Sequence, residues 1–234
     1  MRVLREQSGF TLVELLMTML ASLVVMSAIV MMTTTALRNQ DRINRRVDAN
    51  QRVRPVMTRI MQELHSACVA PRITPVIGDG TANGSSGTRI TFLSKSDATV
   101  SPTPDMHVIA LSGGTLSETV YPATGGAAPT WTFSGTPLTG WNARPLLTNV
   151  SAPAAGLFQY YDFVNGQVDT SPTTVPLSAT NAAKAAIVKV TLSSSPTQGV
   201  STFDPNSPLV VSDSADLRLE NAGQFPNQDN LPCV

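Results

Sequence analysis

The sequence predicts an α+β protein, with one long N-terminal helix followed by an antiparallel β-sheet head. Three observations predict it. No residue from Leu15 to Leu37 carries a charge, a run of 23 positions. All 17 prolines stand at Pro55 or later, and of the 15 glycines only Gly9 precedes Gly78. Past residue 69, short apolar runs are separated by clusters of Ser, Thr, Gly and Pro. Helix breakers are thus confined to the second part of the chain, where strands and turns are expected.

Residues 1–9 form a short polar head, with Arg2 and Arg5 set against Glu6. Residues 10–37 follow as an apolar helix. At about 1.5 Å per residue the uncharged run spans about 35 Å, enough to cross a bilayer core of about 30 Å. One carboxylate, Glu14, lies just inside this helix. A charge there is costly unless something pairs with it.

The run Gly9-Phe10-Thr11-Leu12-Val13-Glu14-Leu15-Leu16 resembles the class III signal of type IV pilins and type II secretion pseudopilins. The resemblance implies cleavage between Gly9 and Phe10 by a prepilin peptidase, N-methylation of Phe10, and retention of the apolar helix in the mature protein. It further implies a single-pass inner-membrane protein with an exported head, then a subunit of a surface filament or pseudopilus. Farther along, Phe158-Gln159-Tyr160-Tyr161-Asp162 with Gly166, and Leu217-Arg218-Leu219-Glu220-Asn221, resemble the closing strands of PilW/PulJ-type minor pilins and pseudopilins.

The chemistry of that signal is legible in the residues. Cleavage before Phe10 creates a new ammonium at the helix start, and N-methylation keeps its charge. Glu14 lies four residues on, on the same helix face, and a carboxylate in the first turn complements the helix dipole. In an assembling bundle, Glu14 of one subunit can instead meet the Phe10 ammonium of a neighbour and set the axial register. The alternative is a Glu14 that only snorkels to the membrane interface. An ordinary secretory signal fits poorly: the apolar core is too long and no A-x-A triplet follows it. A plain signal anchor has the same helix, but no need for Gly9-Phe10 or Glu14.

Residues 38–68 continue the helix. Ile43, Val47, Val53, Met57, Ile60, Leu64 and Cys68 recur at mostly three- and four-residue steps, as one apolar stripe. From Val53 to Cys68 the stripe is expected to pack on the protein's own head. Pro55 is expected to mark a bend or the point where the helix meets the head. Seven arginines between Leu37 and His65 face Asp41, Asp48 and Glu63, while the remainder of the chain is net acidic and the whole formally neutral. Overall neutrality gives no argument for a nucleic-acid partner. The arginines read as a solvated helix face, or as contacts to acidic neighbours or lipid phosphates.

Residues 69–234 read as the β head. Strands are expected over 88–93, 106–111, 116–121, 130–133, 156–163, 186–193 and 209–219. Alternation is clearest at Val188-Lys189-Val190-Thr191-Leu192, giving one buried and one wet face. Cys68 and Cys233 are the two cysteines. With the head outside the cytoplasm, their simplest use is a disulfide tying the C-terminus to the helix.

No catalytic pattern stands out. His65 and His107 are the two histidines, and neither opens a metal-ligand spacing. No nucleophile elbow, P-loop or strand-linked dinucleotide fingerprint is present. Neither a metal nor a cofactor is expected. Trp131, Trp141, Tyr160 and Tyr161 read as core or sheet-face residues rather than stacking platforms. The expected function is therefore structural, a pilin-like subunit whose partners are the peptidase, the inner membrane and other pilins. A pilus-tip adhesin or DNA-binding module is the alternative, with nucleic acid or a host surface as its partner. A membrane-anchored enzyme would need converging titratable groups in a head cleft.

Overall fold

The structure is a computed structural model that describes residues 10–68, 75–81, 84–95, 103–127, 130–164, 167–194 and 209–217. Helix α1 runs from Leu12 to His65, 54 residues without interruption. The chain divides into two compact units, Met1–Val47 and Asp48–Val234, and α1 contributes to both.

In the first unit, Leu12–Asp41 is long and apolar enough to cross a membrane by length and composition. All six hydroxyls of its uncharged run are satisfied inside the helix. Thr18, Ser22, Ser27, Thr33, Thr34 and Thr35 each donate to a carbonyl three or four residues back, at 2.8–2.9 Å. None of them therefore needs water, which is what a hydrocarbon environment demands.

The second unit is α+β, as expected. Seven of its eleven described strands lie within two or three residues of the expected bounds. They are β1 (Arg89–Ser94), β2 (Asp105–Ser112), β3 (Thr115–Tyr121), β5 (Thr130–Phe133), β8 (Phe158–Val164), β10 (Ala185–Ser194) and β11 (Leu209–Asp216). Four short strands were not expected: β4 (Ala123–Ala127), β6 (Arg144–Thr148), β7 (Val150–Ser151) and β9 (Gln167–Val168). A six-residue helix, α2 (Ala179–Lys184), is capped by Ser178, whose side chain accepts from the Asn181 N–H.

One sheet has the order β1-β2-β3-β6 and the other β11-β10-β8-β9, with β7 also on β10; β4 and β5 form a separate hairpin. All described pairings are antiparallel. The helical stripe Val53, Met57, Ile60 and Leu64 is buried in one continuous core. Ile90, Phe92, Ile109 and Leu116 of the first sheet share it, with Phe158, Tyr160, Val188 and Val190 of the second. Each such aliphatic or aromatic side chain contributes about 1.5–3 kcal/mol of burial.

The stripe is buried from Val53 to Cys68 as expected, but two other expectations shift. Burial begins at Ala49, ahead of Pro55, with Ile43 and Val47 before it exposed. Pro55 itself sits inside the helix without ending it; the carbonyl four residues earlier simply loses its usual donor. At the other end, α1 stops at His65 rather than at Cys68. The Cys68 N–H donates instead to the Leu93 carbonyl at 2.9 Å, and Ala67 bridges to Ser94. The chain leaves the helix by joining the edge of β1.

Candidate functional site

The N-terminal segment and the head carry separate candidate sites. Gly9 lies outside the described residues. Phe10 is exposed and precedes the helix, and Glu14 stands exposed in the first turn of α1. Thr11 occupies the N-cap position: its hydroxyl accepts from the Glu14 N–H at 3.3 Å. Thr11-x-x-Glu14 is thus the sequence pattern of a capping box. Its Thr–N–H half is formed, a role for Thr11 that the sequence reading did not draw out.

The head contains a buried ionic cluster built from α1, β2 and β3. Arg59 and Glu63 are one turn apart on α1, and Arg59 Nε donates to Glu63 Oε1 at 2.8 Å. Arg59 Nη2 donates to Glu118 Oε2 at 2.6 Å. The other Glu118 oxygen, Oε1, lies 3.0 Å from His107 Nδ1. In the hairpin register His107 pairs with Val120, so Glu118 is its diagonal neighbour on the same sheet face. Phe92, paired with His107 on β1, stacks on the imidazole with ring centroids 5.4 Å apart. Glu118 is 0% exposed, His107 2% and Glu63 7%.

The two carboxyls are pushed in opposite directions. Burial raises Glu63 above the ordinary carboxyl range and the Glu118 charge adds to the rise, which Arg59 and His107 only partly offset. Burial pushes Glu118 upward too. Its hydrogen bond with His107 and the Arg59 charge outweigh that and hold it below the ordinary range. Arg59 loses hydration, yet its bond to Glu63 and the two carboxylate charges raise its guanidinium further. One oxygen, Glu63 Oε2, is buried with no hydrogen-bond partner among the described residues.

The cluster borders a cavity of about 490 Å³ lined by Arg59, Gln62, Glu63, Ser66, Lys95 and Trp141. Trp141 holds two guanidiniums against its ring, Arg59 at 5.2 Å and Arg144 at 4.9 Å from the centroid. Tyr160 is fully buried, and its hydroxyl reaches the Ser86 and Arg89 carbonyls, each at 3.2 Å. Trp131 packs with Phe133, Met106 and Ile77 around Cys68 and Leu93. Cys68 is fully buried, and no described cysteine is free. Cys233 lies outside the described residues.

Sequence reasoning missed this cluster because its members share no local spacing. One signal was available. β3 alternates Leu116, Glu118 and Val120 on its buried face, and an acid on an apolar face demands a partner.

Residues 4–30 match the family described as the prokaryotic N-terminal methylation motif. No curated protein and no solved structure matches the chain. Together with the membrane-length apolar helix and the antiparallel β head, the motif supports a type IV pilin- or pseudopilin-like precursor anchored in a membrane.

Proposed function

We propose that this protein is a structural subunit, a minor pilin or pseudopilin. In this reading a prepilin peptidase cleaves it between Gly9 and Phe10, Phe10 is N-methylated, and other pilins take it up into a filament. The observation that carries the reading is the methylation motif at residues 4–30, seated on a helix whose Leu12–Asp41 segment can span a bilayer. Lipid and a helical bundle are similarly apolar, so transfer between them is driven by packing and by charge pairing. Glu14 against the processed Phe10 amine of a neighbouring subunit supplies that pairing. The satisfied hydroxyls of Thr18 to Thr35 let the helix move between the two environments without exposing an unpaired donor.

We further infer a Cys68–Cys233 disulfide, supported by Cys68 not being free and by Cys233 being the one other cysteine. Closing a loop of about 165 residues contributes at most about 5 kcal/mol through the unfolded chain. Thiol labelling of the denatured, unreduced protein should find no free cysteine; two labelled cysteines would refute the bond.

The assembly reading is tested by expressing Glu14→Gln at wild-type level and measuring its share of sheared surface filaments. A large drop, with membrane insertion intact, is expected. Incorporation equal to wild type would overturn the role of Glu14.

A further inference from the structure

We propose that Glu63, His107 and Glu118 form a binding site for one first-row divalent cation in the head, with Arg59 positioning the two carboxylates. Each of the three residues offers one ligand atom, and these atoms lie within 4.8 Å of one another. A cation bound at about 2.0–2.2 Å holds its ligands about 3–4.4 Å apart, so only small side-chain adjustments are needed.

The hydrogen bonds already divide the donor atoms. Arg59 occupies Glu63 Oε1 and Glu118 Oε2, one oxygen of each carboxylate. The remaining donor atoms are Glu63 Oε2 and the hydrogen-bonded pair Glu118 Oε1 and His107 Nδ1. Of these, Glu63 Oε2 is buried with no hydrogen-bond partner among the described residues, on a side chain 9% exposed. A carboxylate oxygen in that position is unfavourable unless a cation or proton reaches it. When the cation binds, His107 gives it Nδ1 and the neutral imidazole keeps its proton on Nε2, so the Nδ1–Glu118 hydrogen bond is exchanged for two metal bonds.

Arg59 and Glu63 also line the cavity of about 490 Å³, so one edge of the site borders open space while His107 and Glu118 lie behind it. One imidazole nitrogen and two carboxylate oxygens suit Zn²⁺ or Mn²⁺ better than Ca²⁺ or Mg²⁺, which take oxygen ligands.

The test uses the full chain in detergent, stripped with a chelator and kept oxidised, with Zn²⁺ as the probe. Calorimetry and elemental analysis after gel filtration should find about one Zn²⁺ per chain. Affinity should fall at least tenfold in both Glu63→Gln and His107→Gln. X-ray absorption of zinc-loaded wild type should show oxygen and imidazole ligation, a readout that does not depend on either variant folding. No uptake by the wild type, uptake unchanged in both variants, or sulfur ligation would each overturn the proposal.

Discussion

Arg59 and Glu118, 59 residues apart, meet at 2.6 Å and tie the C-terminal part of α1 to the middle of β3. The acid is fully buried while the arginine side chain stays 30% exposed. Their pairing answers a problem that the strand itself creates, an ionised group on the inward face of a sheet.

Removing the arginine should therefore hurt more than removing an ordinary surface charge. Arg59→Met leaves Glu63 and Glu118 close together without their guanidinium. We expect a loss of about 3 kcal/mol in chemical denaturation, at the low end for a broken buried pair because solvent reaches the arginine. Arg59→Met combined with Glu118→Gln should lose less than the sum of the single changes. Strict additivity would mean that the two side chains do not interact.

Tyr160 gives a prediction with a pH sign. Its hydroxyl is buried against two carbonyls, and burial pushes its ionisation far above the ordinary phenol range. The folded state therefore keeps the proton that the unfolded chain releases near pH 10. The contribution of Tyr160 is fully present below about pH 10 and is lost as pH rises beyond it. Tyr160→Phe should reduce stability by about 1–2 kcal/mol at neutral pH. It should also fall less steeply with pH above about 10 than the wild type does. Parallel stability curves for the two proteins would contradict this account.

Gly156 is needed for two reasons at once. It sits at φ +89°, and a Cβ there would lie 3.1 Å from both the Cα and the carbonyl oxygen of Gly87. The same Gly87 carbonyl accepts the Leu157 and Phe158 N–H groups at 2.6 and 3.0 Å, joining the start of β8 to the segment before β1. Gly156→Ala should cost about 1–3 kcal/mol in thermal or chemical unfolding. An unchanged midpoint would show that this crossing tolerates a side chain.

The long helix was legible because its signal is local: no proline or glycine between Phe10 and Arg54, and apolar steps of three and four. Strands such as β10 were legible for the same reason, through alternation along a single segment. β4 and β6 were missed because Gly125, Gly126 and Pro145 read as turn residues. Yet Gly126 adopts φ +92° inside the paired hairpin, and Pro145 pairs with Ser117 beside a register shift. α2 was hidden in a Ser- and Pro-rich stretch, and a helix of six residues offers too little periodicity to detect. The ionic cluster depended on a hairpin register and a helix rotation that no short window contains. Glu118 alone announced that something had to meet it.

The central claim is that this helix is a processed, assembling one, and the mature N-terminus tests it most directly. Mass spectrometry should be run on the protein from cells with and without a functional prepilin peptidase. Cells with the peptidase should yield a chain that begins at N-methylated Phe10, and cells without it an unmethylated chain with residues 1–9 retained. An intact leader in both strains, or a mature chain beginning at any other residue, would contradict the account.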